Sequence, residues 1–329
     1  MDRADYRARR RGRRCALDSA HRPPAPWSGA ARGPGRRGRT ARTASLTILR
    51  PRTLDDALAA RVAHPEAMVV AGGTGIMVEL NRGAIDPPTL IDLSAVAELR
   101  TVTRDAGVIR LGATTTYTDV LDHHDATLPG LAAAARTVAS RQVRNRATIA
   151  GALVLADPSG DALAALGAAS AQVEVRGGPD AAGRTIDAHA FVTAPGRCAL
   201  AADELVVSLR VPVADGPVVY LKAGARNAMA RAVCGVAVAL HPARRTATAC
   251  VVGAASTAIR PYVAEELVAA DWDDLAAPAI AARFGALVAA AVDPIPDARG
   301  SAEYRRHVAG VLASRALRRA AAELEGGVA

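Results

Sequence analysis

The segment MVVAGGTGIMVELN, residues 68–81, passes from an apolar run through three glycines into apolar residues at helical spacing. The pattern predicts a short strand at 68–71, a loop at Gly72, Gly73 and Gly75, and a helical turn at 76–83. Glycines let a backbone approach a phosphate closely, and N–H groups at the start of a helix can then donate to its oxygens. The spacing is not that of a Rossmann GxGxxG motif, and no lysine follows as in a Walker loop. Alone, the loop is either a tight turn or a phosphate site.

A second glycine-interrupted segment, TIAGALVLADPSGDALAAL, occupies residues 148–166. We expect Thr148 and Gly151 to lie in another turn that exposes backbone groups. Asp157 followed by Pro158 is typical of a helix cap with proline at the first helical position, and Asp161 lies one turn further on. Helix capping would explain Asp157 alone. The pair of segments indicates more, because two glycine turns in one α/β domain can close on the two phosphates of a dinucleotide.

The only lysine of the chain, Lys222, stands in YLKAGARNAMA at 220–230. An ammonium beside a cofactor can neutralise phosphate or tune a redox ring, whereas a lone lysine in an arginine-rich chain can equally be an exposed charge. The seven histidines have no partners at metal-ligand spacing, so we expect them to be solvated or to cap helices. The four cysteines show no CxxC spacing, and we predict neither a metal site nor an iron–sulfur cluster in this chain.

The 329 residues carry a formal net charge of +9, which originates at one end of the chain. Residues 1–44 hold thirteen arginines against three aspartates, so the remainder is nearly neutral and is not a basic nucleic-acid binder. We predict that residues 1–44 are disordered, because they contain few large apolar groups. Three interpretations of this segment are open: it contacts nucleic acid or an acidic surface, it is a solvated tail, or the start codon is assigned too far upstream. No apolar stretch reaches the ~20 residues of a membrane span, and we expect a cytoplasmic protein without a nucleic-acid partner.

The pattern alternates between strands and helices over the first part of the chain and then changes. A hairpin is predicted around HPARRT at 241–246, and three helices follow it. In the last helix we expect Ser301 as the N-cap and Glu303, Arg305 and Arg306 on the exposed side. The chain is therefore predicted to be α+β, with a tail at 1–44, a first domain at 45–215 and a second domain at 216–329.

Four segments together resemble one family. They are AGGTGIMVELNRG at 71–83, QVRNRATIAGALVLADPSGDALAAL at 142–166, YLKAGARNAMARAV at 220–233 and IPDARGSAEYRRHVAGVLASRAL at 295–317. In this order they are similar to the FAD-binding medium subunit of the molybdenum hydroxylases, which include xanthine dehydrogenase and aerobic carbon monoxide dehydrogenase. The resemblance covers about residues 46–325. It implies an FAD-binding fold of the vanillyl-alcohol oxidase (PCMH) type, made of two α+β subdomains, and a small C-terminal domain of antiparallel sheet and helices, of the carbon monoxide dehydrogenase flavoprotein type.

The resemblance also implies which residues hold FAD, without a covalent bond and mainly through backbone N–H groups. The first loop contributes Val69, Val70, Ala71, Gly72, Gly73, Thr74, Gly75 and Ile76. The second loop contributes Thr148, Ile149, Ala150, Gly151 and Ala152. Asp161 corresponds to the family's acidic residue, Val206 to a residue that packs on the cofactor, and Lys222 to the lysine beside the flavin. No residue of this chain is implied as an acid or base catalyst or as a metal ligand.

The second loop departs from the family pattern, since TIGGN is replaced by TIAGA. Ala150 fits only if its φ is negative, because a Cβ makes positive φ costly. Ala152 lacks the amide that can hydrogen-bond the cofactor. One such bond contributes about 0.5–1.5 kcal/mol, so the affinity for FAD is expected to fall by up to about tenfold.

The resemblance implies an electron-transfer subunit of a molybdenum hydroxylase. A large subunit with the molybdenum cofactor and a small iron–sulfur subunit would be its partners, in a heterotrimer or its dimer. FAD in this chain would pass electrons to NAD, oxygen or a quinone. Two alternatives are an FAD-less subunit that only scaffolds the same complex, which Ala150 and Ala152 favour, and a self-contained flavin oxidase of the vanillyl-alcohol type.

Overall fold

The computed structural model describes residues 46–226 and 229–326, and the tail predicted to be disordered lies outside these residues. The described chain begins with a parallel three-stranded sheet in the order β1-β3-β2. Its elements are β1 (Thr47–Leu49), α1 (Leu54–Ala63), β2 (Met68–Val70), α2 (Ile76–Asn81) and β3 (Thr89–Asp92). Helix α1 begins where Thr53 Oγ1 accepts a hydrogen bond from the N–H of Asp56 at 3.1 Å. The first glycine loop connects β2 to α2.

The second sheet is antiparallel, with five strands in the order β4-β5-β10-β6-β7. Its strands are β4 (Val102–Asp105), β5 (Val108–Gly112), β6 (Gln172–Gly177), β7 (Arg184–Asp187) and β10 (Glu204–Pro212), and a small hairpin is formed by β8 (Val192–Ala194) and β9 (Arg197–Cys198). The helices are α3 (Tyr117–His123), α4 (Pro129–Thr137), α5 (Arg141–Arg144), α6 (Ile149–Val154), α7 (Asp161–Ala168) and α8 (Ala188–Phe191). All eight residues of α7 are buried, because the helix packs against α4 and against two strands later in the chain, Ala232–His241 and Thr246–Val252.

The third sheet is antiparallel in the order β11-β12-β13, and three helices follow it. These elements are β11 (Val218–Gly224), β12 (Ala232–His241), β13 (Thr246–Val252), α9 (Tyr262–Ala270), α10 (Pro278–Ala291) and α11 (Ala302–Gly326). Every residue of β12 is buried, because α7 and α11 both pack against it. Alternate residues of a strand face opposite sides, and accordingly Ala237 belongs to the core around α7, whereas Val236 and Val238 belong to the core around α11.

Arg305 is not on the exposed side of the last helix, so that prediction was wrong. Its side chain is 4% exposed. The guanidinium donates to the carbonyl oxygens of Val233 at 2.8 Å and Gly253 at 2.5 Å and forms an ion pair with Asp297. Buried backbone carbonyls need donors, and a guanidinium offers five N–H groups in a fixed fork. Ser301 does precede the helix, and its Oγ accepts from the N–H of Tyr304 at 3.1 Å.

Asp157 and His241 also differ from expectation. Helix α7 begins at Asp161 after Gly160, so Asp157 does not cap it. Instead, Asp157 Oδ1 accepts from the N–H and the hydroxyl of Ser159 at 2.9 and 2.7 Å and closes a turn. His241 is 7% exposed and bonded on both ring nitrogens, to Asp215 at 3.1 Å and to Thr248 at 3.0 Å. Its role is to satisfy polar groups where two strands meet.

Candidate cofactor-binding site

The loop between β2 and α2 presents backbone donors that have no acceptor. Among the described residues, the N–H groups of Gly72, Gly73, Thr74 and Gly75 form no hydrogen bond. All four residues are partly exposed. Gly73 has a φ of +76°, which an L side chain adopts only with strain. Consecutive free N–H groups around a glycine in this conformation form a concave anion-binding surface.

The two glycine segments meet directly. A Cβ on Gly72 would lie 1.8 Å from the carbonyl oxygen of Arg146, just before the second segment. A Cβ on Gly75 would lie 2.5 Å from a methyl carbon of Leu155, which lies inside the second segment just after α6. At position 72 only glycine allows this approach, because the neighbouring atoms are backbone, whereas the end of the Leu155 side chain could turn aside from a Cβ at position 75. The structure thus brings the first loop into contact with both ends of α6.

Thr148 forms the start of α6 and orients the second segment. Its Oγ1 accepts from the N–H of Gly151 at 3.1 Å, and a Cβ on Gly151 would lie 2.5 Å from the same oxygen. Gly151 is thus the third residue of a capped helix. The sequence had suggested that it lies in a turn, and that prediction was wrong. The N–H of Ile149 donates to the carbonyl oxygen of Thr115 at 3.0 Å. The N–H groups of Thr148 and Ala150 have no acceptor among the described residues.

The alanines that replace family residues occupy different surroundings. Ala150 is helical, is not among the residues with positive φ, and is 3% exposed. Its methyl group therefore belongs to the core and causes no backbone strain. Ala152 is partly exposed, and its N–H donates to the oxygen of Thr148 at 3.1 Å. The position of the family's asparagine thus offers a ligand only a methyl group.

Asp161 and Lys222 form a buried ion pair. Lys222 Nζ lies 2.9 Å from Asp161 Oδ2, and each side chain is 9% exposed. The ammonium also donates to the carbonyl oxygen and the hydroxyl of Thr137, both at 3.3 Å. Tyr220 donates to the other carboxylate oxygen of Asp161 at 2.5 Å. Lys222 is therefore not an exposed charge but one member of a buried polar cluster.

The other predicted site residues lie in strands or at the ends of elements. Val69 and Val70 form the end of β2, Ala71 follows it, and Ile76 is the first residue of α2. Val206 is 6% exposed on β10, beside a bulge between Val206 and Ser208. A bulge re-aims side chains and ends regular pairing.

Three buried hydroxyls near the loops were not found from the sequence. Thr115 Oγ1 is buried without a partner in the described part of the chain, and Tyr117 is 3% exposed. Burial raises the pKa of Tyr117 far above its ordinary value, and the charge of Asp161 adds to the effect. Burial first, and then Asp161, likewise raise the pKa of Tyr220, so both phenols remain protonated at neutral pH. A signal existed only for Tyr220, which lies two residues from Lys222 and hence on the same face of the strand.

The described residues contain no cluster of three side chains suited to hold a metal ion. Burial raises the pKa of Cys234 and Cys250 to about 12, so both thiols stay protonated. None of the described helices is long and apolar enough to cross a membrane. The chemical features of the described residues therefore converge on the two loops and the Lys222 cluster.

Among the described residues, the site combines four features: N–H groups without acceptors in the two loops, the close approach of backbone at Gly72, the unpartnered hydroxyl of Thr115 and the buried ammonium of Lys222. These features suit a cofactor that has a diphosphate and a redox ring. The fold and site thus fit a protein that binds a dinucleotide cofactor.

Comparison with known proteins gives the particular family. Residues 43–214 match the family described as FAD binding domain in molybdopterin dehydrogenase, and residues 219–320 match the CO dehydrogenase flavoprotein C-terminal domain. The glyceraldehyde dehydrogenase medium chain of Sulfolobus acidocaldarius is 28% identical over 282 residues, 84% of this chain and 98% of that protein. The carbon monoxide dehydrogenase medium chain of Hydrogenophaga pseudoflava is 30% identical over 258 residues, 77% of this chain and 88% of that one.

A solved structure agrees. Carbon monoxide dehydrogenase from Hydrogenophaga pseudoflava, in a form that lacks the Mo-pyranopterin moiety of its molybdenum cofactor, superposes with a TM-score of 0.76 at 27% identity, covering 85% of this chain and 98% of that one. The chain belongs to the family of FAD-binding medium subunits of molybdenum hydroxylases, and it is an oxidoreductase subunit. The resemblance seen in the sequence, the fold class and the FAD cofactor are confirmed.

Proposed function

We propose that this chain is the electron-transfer subunit of its complex and that it holds FAD between the two glycine loops. The observation that carries the proposal is the contact of Gly72 with Arg146, which unites two sets of free N–H groups. Donors of this kind bind the oxygens of a diphosphate at short range. FAD, when bound, supplies the redox chemistry of the subunit.

The residues of this chain bind and orient the cofactor and carry out no acid–base step. The loop N–H groups neutralise part of the diphosphate charge, and Val206 offers a buried apolar contact beside the β10 bulge. Lys222 supplies a fixed positive charge, which favours a redox ring that gains negative charge on reduction. Hydroxylation of the organic substrate belongs to another subunit in this proposal.

The proposed partners are a large subunit with the molybdenum cofactor and a small iron–sulfur subunit, in a heterotrimer or its dimer. The names of the relatives as medium chains support at least two further subunits. Electrons would arrive from the iron–sulfur subunit and leave to NAD, oxygen or a quinone. The described cysteines are free thiols, which is consistent with a reducing compartment, and we propose the cytoplasm. We propose residues 45–215 and 216–329 as the two domains.

The first test is the visible absorption spectrum of the purified full chain after incubation with FAD, followed by chromatography of what acid releases. A bound flavin spectrum and free FAD in the acid extract are expected. A colourless chain that takes up no added FAD would refute the proposal and favour the scaffolding subunit, for which Ala152 is the structural argument.

The second test uses the assembled complex with and without this chain. Without it, substrate should still reduce the iron–sulfur clusters, but electrons should no longer reach the acceptor. Acceptor reduction at an unchanged rate without this chain would exclude the electron-transfer role. Complex assembled with the chain carrying Gly83→Ala, a change on an exposed turn away from both loops, is the matched control.

A further inference from the structure

The buried cluster around Asp161 uses nearly all of its hydrogen-bonding capacity. An ammonium has three N–H donors, and Lys222 directs them to Asp161 Oδ2 and to the two oxygens of Thr137. The second oxygen of the carboxylate, Oδ1, takes the hydroxyl of Tyr220 at 2.5 Å. The position of the ammonium therefore depends on the orientation of the carboxylate, and Tyr220 bonds the oxygen that Lys222 leaves free.

The cluster joins the two halves of the chain. Thr137 ends α4 and Asp161 begins α7, whereas Tyr220 and Lys222 lie on one face of β11. The neighbouring strand makes room for the phenol, because a Cβ on Gly235 would lie 2.8 Å from Tyr220 Oη. The Tyr220 ring is 7% exposed and cannot turn away into solvent. The hydroxyl is thus fixed against Asp161 by its surroundings.

We propose that Tyr220 is a positioning residue for the flavin-side cation: its hydroxyl holds Asp161 in the orientation that keeps the ammonium of Lys222 against Thr137. This inference rests on the proposed function, in which Lys222 acts on the bound redox ring. Tyr220 itself need not touch the cofactor.

Removal of the hydroxyl leaves Oδ1 without a donor in a buried environment, which is unfavourable. The carboxylate then rotates so that both oxygens approach Lys222, and the ammonium leaves the Thr137 oxygens. The positive charge moves and becomes less well directed toward the site. A reduced ring with added negative charge loses more stabilisation than an oxidised ring does, so the midpoint potential of the bound flavin should fall.

The single lysine allows a direct test in the full chain. Protein produced with lysine labelled with carbon-13 at Cε gives one side-chain NMR signal, that of Lys222. The variants are Tyr220→Phe, which deletes only the hydroxyl, and Tyr220→His, whose shorter ring leaves Asp161 Oδ1 beyond hydrogen-bond distance. Tyr262→Phe is the matched control, because that phenol is 55% exposed on α9. The Lys222 signal is recorded without FAD, and the midpoint potential is measured in FAD-loaded protein.

We expect the Lys222 signal to shift in Tyr220→Phe and in Tyr220→His, because both lose the hydrogen bond to Asp161, and to be unchanged in Tyr262→Phe. In loaded Tyr220→Phe, the dissociation constant of reduced FAD should rise about tenfold more than that of oxidised FAD. In an Asp161→Asn background, Tyr220→Phe should have no further effect, because Tyr220 acts through Asp161.

An unchanged Lys222 signal in Tyr220→Phe would overturn the positioning role. A shifted signal with an unchanged midpoint potential would overturn its action on the flavin. If the wild-type chain bound no FAD, the proposed function would fail, and the Lys222 signal alone would still decide whether Tyr220 positions the ammonium. If Tyr220→Phe did not fold, Tyr220→His would take its place: a shifted Lys222 signal in that variant would support the positioning role, and a signal identical to that of wild type would overturn it.

Discussion

Replacement of Gly72 by alanine should separate the two loops. The added Cβ would lie 1.8 Å from the carbonyl oxygen of Arg146 and 2.7 Å from its carbon, where ordinary contact begins at 3.4 Å. The loops must therefore part by about 1.6 Å, in a region where both neighbours are backbone and cannot turn aside. Overpacking of this kind costs about 1–3 kcal/mol of stability.

The larger effect should be on FAD. A shift of this size removes the alignment of the first loop's N–H groups with those of the second. The loss of two hydrogen bonds to a charged diphosphate costs about 3–6 kcal/mol, so the dissociation constant should rise by roughly two to four orders of magnitude. Titration of the apo chain with FAD, followed by flavin fluorescence, measures the constant, and urea unfolding measures the stability.

Two glycines separate this steric effect from backbone strain. Gly83 has a φ of +67°, and no atom of the described residues lies within 4 Å of the position that an added Cβ would take. Gly83→Ala therefore adds strain of about 1–2 kcal/mol and no clash. Gly73→Ala adds similar strain inside the loop, with its nearest neighbours at 3.6 and 3.7 Å. If Gly72→Ala bound FAD within threefold of Gly83→Ala, the two loops would not form one diphosphate site.

Three further outcomes follow from buried groups. Arg305→Ala should lower the free energy of unfolding by about 3–5 kcal/mol, because carbonyl oxygens and Asp297 lose a buried charged partner. Arg306 is exposed, and Arg306→Ala should change the free energy of unfolding by less than about 0.5 kcal/mol. Burial lowers the pKa of His241 below its ordinary 6.5, so the folded state binds the proton less readily than the unfolded state. The stability that depends on neutral His241 should be fully present above pH 6.5 and be lost as the pH falls through the folded pKa. Urea unfolding at several pH values measures this loss, which should be smaller in His241→Gln. Cys234 and Cys250 are buried, and their thiol pKa values are about 12, so at pH 8 both should react with a disulfide reagent only at the rate of unfolding. Because Cys15 and the partly exposed Cys198 can also react, the labelled residues are identified by peptide mass spectrometry, and fast labelling of Cys234 or Cys250 would contradict their burial.

Local patterns sufficed for those parts of the fold that depend on near neighbours. A few adjacent residues predict the strand and the helix on either side of the first loop. The same holds for the hairpin between β12 and β13 and for the Ser301 cap. The hairpin turn even places Arg245 at a φ of +53° without a glycine. The prediction that Thr148 and Gly151 lie in a turn that exposes backbone groups was wrong, because Thr148 is buried and Gly151 belongs to a helix.

The remaining features depend on groups that are far apart in the chain. Arg305 is buried because its acceptors are Val233 on β12 and Gly253 just after β13, 72 and 52 residues away. Tyr220 finds Asp161 across 59 residues. Periodicity assigns a face to each side chain but cannot show which buried carbonyl or carboxylate will meet it. For that reason the sequence predicted a site at Lys222 but not its hydrogen-bond partners.

The burial of β12 on both faces determines how the chain can be divided. A cut between Pro212 and Val218 would strip α7 of the strands that cover it and leave its apolar residues in water. The same cut would divide the Lys222 cluster and separate Ala237 from the core to which it belongs. Exchange of the last third of the chain between relatives is therefore not a modular swap: an engineered chimaera would have to carry α7 and the β11–β13 sheet from the same parent.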